Sequence, residues 1–156
     1  MSYDKGKWQI SLVAMVYRDI GIVLNLDNSI DSLQDLQQAS RSGLSRDAIA
    51  KVREVLDISV SQLAKFLHVS ERTLQRYLQE KTDKLLSVDI SDRLLQLIKV
   101  YLRAVEVFED EKNALAWLKH PCRALGDELP INLLDTFSGI EIVSNELIRI
   151  EYGVVA

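Results

Sequence analysis

Proline and glycine are scarce in this chain, with two and six among 156 residues, and cysteine occurs once, at Cys122. Few breakers exclude a turn-dense β-sandwich and favour long helical segments. A lone cysteine excludes an internal disulfide and fits a reducing compartment. His68, His120 and Cys122 have no zinc-ligand spacing, so no metal is expected. Uninterrupted apolar runs are also missing. Lys5 and Lys7 precede "WQISLVAMVY" as in a signal peptide, but no small-x-small cleavage site follows. Arg18 and Asp19 break the run too early for a membrane span. The expectation is a cytoplasmic protein with no membrane partner.

What is present supports a folded interior. Apolar residues make up 47% and charged residues 27%, the balance of a soluble globular chain. The net charge of −4 is unevenly spread. Residues 1–40 carry −2, residues 41–84 carry +3 and residues 85–156 carry −5. A basic middle joined to an acidic C-terminal half fits either two surfaces with different partners or a fluctuation in solvated surface charge.

Residues 8–26 are rich in Val and Ile without a clean period, and strand and buried helix both fit. Beyond them helix signals accumulate. Ile30, Leu33 and Leu36 have helical spacing, with Ser29 a candidate N-cap. Three further starts share one grammar: Ser45 with Leu44 and Ile49, Ser59 with Ile58 and Leu63, and Ser70 with Val69 and Leu74. In each a hydroxyl caps orphan N–H groups while a flanking apolar pair staples the entry angle, and Gln62 completes a capping box with Ser59. Three such starts within thirty residues imply short helices joined by abrupt turns. "SVDISDRLLQLIKVYLRAVEVFED" is the longest amphipathic run, with Ile90, Leu94, Leu97, Tyr101, Val105 and Phe108 on one stripe. A short helix over "EKNALAWLK", a break at Pro121, a helix near Pro130 and a last helix from about Ile140 to Tyr152, ended by Gly153, complete the reading.

The segment "VSQLAKFLHVSERTLQRYLQ" has the layout of a helix-turn-helix. At roughly 100° per residue, Leu74, Tyr77 and Leu78 share one face of the second helix, and Arg72, Gln75, Arg76 and Gln79 share the opposite one. Arg suits guanine O6 and N7, Gln suits adenine N6 and N7, and both reach phosphates. The capped helix starts at Ser59 and Ser70 can present N–H groups to phosphates. Ala64 gives the small side chain that two closely crossing helices need. His68 stands at the turn where Gly is usual. The same outer face also serves self-association in modules of this shape, so DNA contact and protomer contact both stay open.

"GLSRDAIAKVREVLDISVSQLAKFLHVSERTLQRYL", "LSVDISDRLLQLIKVYLRAVEVF", "AWLKHPCRALGDELPINLLDT" and "IEYGVVA" together resemble the Xre/MbcA/ParS antitoxins of type II toxin–antitoxin pairs. The resemblance covers about residues 43–156. It rests on Arg72-Thr73-Leu74-x-Arg76, Ser91-Asp92-Arg93-Leu94, Arg123-Ala124-Leu125-Gly126, Pro130 with Leu133-Leu134-Asp135-Thr136, and Gly153. Residues 1–40 resemble nothing we can name and are read as an N-terminal extension. The resemblance implies an all-α fold, an Xre-like helix-turn-helix over 41–84 and a helical toxin-binding domain over 85–156. It implies a RES-type toxin partner that uses NAD, whose cleft is blocked by Tyr152, Gly153, Val154, Val155 and Ala156. It also implies repression of the antitoxin's own operon, with some members diverting that surface to dimer contacts. A homodimer is expected in any case, since two half-sites on operator DNA demand two recognition helices.

Arg123 has two readings: a helix C-cap or surface salt bridge of small value, or a guanidinium buried against helix-end carbonyls that organises the turn supporting the toxin-facing surface. His120, before Pro121 at a helix C-terminus, is explained by the helix dipole, and Asp92 and Arg93 by capping. No nucleophile–base pair, paired carboxylates or ligand cluster rises above chance, so neither catalysis nor a cofactor is expected. The alternative reading is a stand-alone helix-turn-helix repressor whose C-terminal half dimerises.

Overall fold

The computed structural model describes residues 16–153. Residues 16–23 are helical and form α1. Val16, Tyr17, Ile20 and Leu24 are buried at helical spacing, which decides the ambiguous apolar run in favour of helix over this part. Its remainder, with Lys5 and Lys7, lies outside the described residues.

Helix α2, Leu33–Ser42, is capped by Ser32, whose hydroxyl accepts the Asp35 N–H. The expected cap, Ser29, donates instead to the Asp31 carboxylate at 2.9 Å, and the Arg18 Nε–H donates to the same group at 3.0 Å. Ser32 wins because Asp35, three residues on, accepts from both the Ser32 hydroxyl and the Asp31 N–H. Helix α3, Asp47–Leu56, corrects a second expectation: Ser45 makes no side-chain cap, and Arg46 enters the helix in αR geometry. Helix α4, Val60–Leu67, and helix α5, Glu71–Gln79, start as read, with the Ser59 and Ser70 hydroxyls accepting from Gln62 N–H and Thr73 N–H. The capping box at Ser59 is half formed, because the Gln62 side chain turns to Asn132 at 3.4 Å.

Helix α6, Val88–Phe108, capped by Ser87, packs against α2, α3, α4 and both later α-helices. Ile90, Leu94, Leu97 and Tyr101 are buried along the expected stripe, and Leu95, Ile98 and Val100 widen it. Helix α7, Glu111–Leu118, follows an Asp110 cap. A tight turn is then closed by the Cys122 N–H donating to the Glu128 carbonyl at 2.9 Å. Pro130 begins a 3-10 segment, Pro130–Asp135, and not the α-helix expected there. Helix α8, Phe137–Glu151, starts three residues earlier than read, with Thr136 accepting from Gly139 N–H. A Cβ on Gly139 would stand 1.7 Å from the Leu133 carbonyl oxygen, so this glycine lets α8 cross the 3-10 segment. Among the described residues there are helices and turns but no β-strand.

Three consecutive residues of α6 stitch the halves together. Ser91, fully buried, accepts the Leu44 N–H at 2.9 Å. Asp92 accepts from the Ser40 hydroxyl at 3.1 Å, and Arg93 stands against His68. Neither Asp92 nor Arg93 caps a helix, since both follow the Ser87 cap by more than a turn. The adjoining Gly43, at φ +84°, places its Cα where a Cβ would meet the Leu86 carbonyl at 2.6 Å. Leu86 N–H in turn donates to the Leu44 carbonyl at 2.8 Å.

Ser91→Ala leaves the buried Leu44 N–H without an acceptor and should destabilise the fold by about 1–3 kcal/mol. In a chain of this size that lowers Tm by about 2–4 °C per kcal/mol. Ser40→Ala, at the more accessible pair, should cost less than about 1 kcal/mol. Thermal unfolding of both variants measures the order.

Candidate functional site

The two helices α4 and α5 meet across a three-residue connection whose shape depends on His68. Its backbone is left-handed, φ 56° and ψ 39°, the region that glycine enters without strain. His68 therefore adopts the geometry of the usual glycine. Its side chain also acts, with Nε2 lying 2.6 Å from the Asp135 carbonyl. A carbonyl brings no proton, so Nε2–H is the donor, and Arg93 at 3.5 Å is a neighbour of that ring and not a donor to it. Ala64 is buried at the α4–α5 contact, as its size predicts.

Leu74 is fully buried, and Tyr77 and Leu78 are partly buried against the core. The opposite row, Arg72, Gln75, Arg76 and Gln79, is exposed. With Thr73 and Glu80 these four border one shallow concavity along α5. The structure thus brings the four long polar side chains of α5 into one row. Ser70 caps the start of that helix, and its hydroxyl also donates to Thr73 Oγ1 at 2.9 Å. Ser59 caps the neighbouring helix, whose first turn faces Asn132 through Gln62.

Sequence reasoning missed the brace beneath this row. Arg46, at the start of α3, lies over the Tyr77 ring with its guanidinium carbon 4.5 Å from the centroid. It also pairs with Glu80, at the end of α5. The hydrogen bond from Arg46 holds the Glu80 carboxyl below its ordinary range. Arg76 reaches over the same ring at 5.4 Å. The signal for it is Arg46 itself, directly before α3 and next to Ser45, which makes no cap.

At the other end of the molecule, α8 stops at Tyr152 and the chain turns left-handed at Gly153, φ +63°, as expected of a C-terminal glycine. Tyr152 and Gly153 are exposed. Val154, Val155 and Ala156 lie outside the described residues. Arg123 meets neither of its two readings. It begins a one-turn 3-10 segment, Arg123–Leu125, and its side chain is exposed, with no hydrogen bond or ion pair among the described residues. The turn is organised by backbone hydrogen bonds from Leu125, Gly126 and Asp127, and so needs no guanidinium. His120 Nδ1–H donates to the Ala116 carbonyl at 2.8 Å, a helix-end contact of the expected kind. Among the described residues no group of three or more His, Cys, Asp or Glu is placed to hold a metal, and no helix is long and apolar enough to cross a membrane.

Comparison with known proteins fits this geometry. A model of the antitoxin Xre-like helix-turn-helix domain matches residues 35–99, and a model of the antitoxin Xre/MbcA/ParS C-terminal toxin-binding domain matches residues 103–153. The chain is 30% identical over 120 residues to the Prs ADP-ribosylating antitoxin of Sphingobium sp. (strain YBL2), covering 64% of this chain and 76% of that protein. This chain belongs to the Xre/MbcA/ParS antitoxin family. It is similar to the Antitoxin Xre of Yersinia enterocolitica, 27% identical over 120 residues with 76% of this chain and 80% of the relative covered. It is also similar to the Antitoxin Xre of Photorhabdus laumondii, 39% identical over 71 residues and 45% of this chain. There the chain spans about half the length of the relative, 48%. The antitoxin thus carries its α5 row within the helix-turn-helix match, and both α7 and α8 within the toxin-binding match.

His68→Ala keeps the strained left-handed backbone but removes the bond to Asp135, and should destabilise the antitoxin by about 1–2 kcal/mol. His68→Gly relaxes the backbone and should be about 1 kcal/mol more stable than the Ala variant. Urea unfolding gives the order of the two.

Proposed function

We propose that this antitoxin neutralises a RES-type, NAD-using toxin by placing its C-terminal tail in the toxin's catalytic cleft. We further propose that it represses its own operon as a dimer through the helix-turn-helix. The single observation that carries the first part is the end of α8. The helix stops at Tyr152, and Gly153 turns left-handed at the last residue of the toxin-binding match. Small apolar residues such as Val154, Val155 and Ala156 enter a narrow pocket at low desolvation cost. The similarity to a relative named as an ADP-ribosylating antitoxin supports a nucleotide-using partner. On this reading the antitoxin acts by occupation and performs no chemistry, in the cytoplasm where its partners are made. Arg123, exposed on the same domain, is available as a contact to the toxin.

The second part rests on the α5 row. Arg72, Gln75, Arg76 and Gln79 are long, polar and solvent-facing, and α5 belongs to the basic segment of the chain. Such a row can dock in a major groove, with the starts of α4 and α5 at Ser59 and Ser70 toward phosphates. Two half-sites require two copies, so a homodimer belongs to the proposal.

Removal of residues 153–156 should leave folding and DNA affinity unchanged while abolishing inhibition of NAD turnover by the toxin encoded beside it. Full inhibition by the truncated chain refutes the tail mechanism. On DNA from upstream of its gene, Arg72→Ala should weaken binding by about 1–3 kcal/mol and relax sequence preference if Arg72 reads a base. A uniform loss with a shallower salt dependence assigns it to phosphate. No change in either quantity gives the α5 row to protomer contact.

A further inference from the structure

We propose that the outward face of α8 is the surface on which the toxin docks, with Phe137 its anchor. This deepens the tail reading and rests on it for the identity of the partner. The large apolar residues left exposed within the toxin-binding match all belong to α8 or its cap: Phe137, Ile142, Ile148 and Tyr152. Helix α7, the Arg123–Leu125 turn and the Pro130–Asp135 segment, in the same match, contribute none.

Phe137 is 76% exposed, Ile142 47% and Ile148 43%. A phenylalanine that far into water at the first position of a helix is not explained by folding, since its burial alone would favour the core. At roughly 100° per residue, Phe137, Ile148, Glu141, Tyr152 and Asn145 fall within about 80° of one another, and Ile142 lies about 60° further round, past Ser138 and Arg149. The result is a mixed stripe on which Phe137, Ile148 and Tyr152 surround one carboxylate and one amide, a composition that suits a protein–protein contact. The opposite side of the helix, with Val143 and Leu147 fully buried, is packed on the core. The stripe ends at Tyr152 and Gly153, where the tail departs. One docked protein can therefore cover Phe137 and receive the tail together.

The frame under Phe137 is tied at three points. Thr136 caps α8 at 3.0 Å, Gly139 lets it press on the Leu133 carbonyl, and the His68 imidazole holds the Asp135 carbonyl. A preformed helix face loses little entropy on binding and suits an anchor residue.

The test uses the full chain and the purified toxin encoded by the neighbouring reading frame, its active site disabled so that binding is read apart from activity. Phe137→Asp and Ile148→Asp should each raise the dissociation constant about 30-fold or more by calorimetry. Leu33→Asp, at an exposed apolar site outside the match, should change it less than about threefold and controls for surface charge. Unchanged melting of the variants confirms that the fold is kept. The chain lacking residues 153–156 should still form the complex while failing to inhibit active toxin. Wild-type affinity in both α8 variants overturns the docking face and leaves the tail mechanism standing. Inhibition by the truncated chain overturns the tail mechanism and leaves the docking face standing. Light scattering in the absence of toxin covers the remaining occupant: if Phe137→Asp converts a dimer to a monomer while toxin affinity is kept, α8 is a self-association surface and the proposal is refuted.

Discussion

The hydroxyl of Ser91 accepting the buried Leu44 N–H is the constraint around which the molecule is organised. Leu44 follows Gly43 at the end of α2, where the chain must turn sharply before α3. An unpaired N–H there would meet no water, and an acceptor from α6 answers it. Since α6 runs on for 21 residues, the hydroxyl also fixes the direction of the helix on which the C-terminal half is built. Asp92 and Arg93 extend the seam by one residue each, to α2 and to the turn after α4.

Both turns that flank α4 are left-handed at a residue other than glycine. Asp57 has φ 49° and His68 has φ 56°. Such a conformation costs about 1–2 kcal/mol at an ordinary residue, somewhat less for Asp. Each is tied to the C-terminal half. Lys119, which ends α7, donates to the Asp57 carbonyl at 2.6 Å and approaches its carboxylate at 3.2 Å. The Asp135 carbonyl, which precedes α8, takes the His68 proton. Charge-assisted and short hydrogen bonds of this kind offset strain of that size.

These ties explain what could and could not be read from the residues in order. Ser59, Ser70 and Gly153 were legible because a cap is a local device: the side chain, the vacant N–H and the turn lie within four residues. The α5 row was legible from periodicity alone, because its face is set by Leu74 and Tyr77 on the same helix. Ser29 and Ser45 were misplaced for the opposite reason. Several serines near a helix start compete, and the winner is settled by Asp35 in one case and by the docking of Arg46 on Tyr77 in the other. Arg123 takes neither role its position suggests, because backbone hydrogen bonds already organise its turn. The 3-10 geometry after Pro130 reflects how closely Leu133 must approach Gly139, a contact that no local pattern announces.

The helix-turn-helix is consequently braced from outside its own two helices in this antitoxin. In a self-sufficient motif a glycine makes the turn at no cost and the two helices hold their angle through their own contact. Here the turn residue is strained, and its imidazole is anchored sixty-seven positions away in sequence. Gln62, in the first turn of α4, leans on the same segment through Asn132. The angle between α4 and α5, and hence the aim of Arg72 and Gln75, is set jointly by the core under Leu74 and by the backbone that launches α8. One frame carries both the polar row of α5 and the apolar face of α8, so their relative placement is a property of α6 and the Pro130–Asp135 segment and not of a linker.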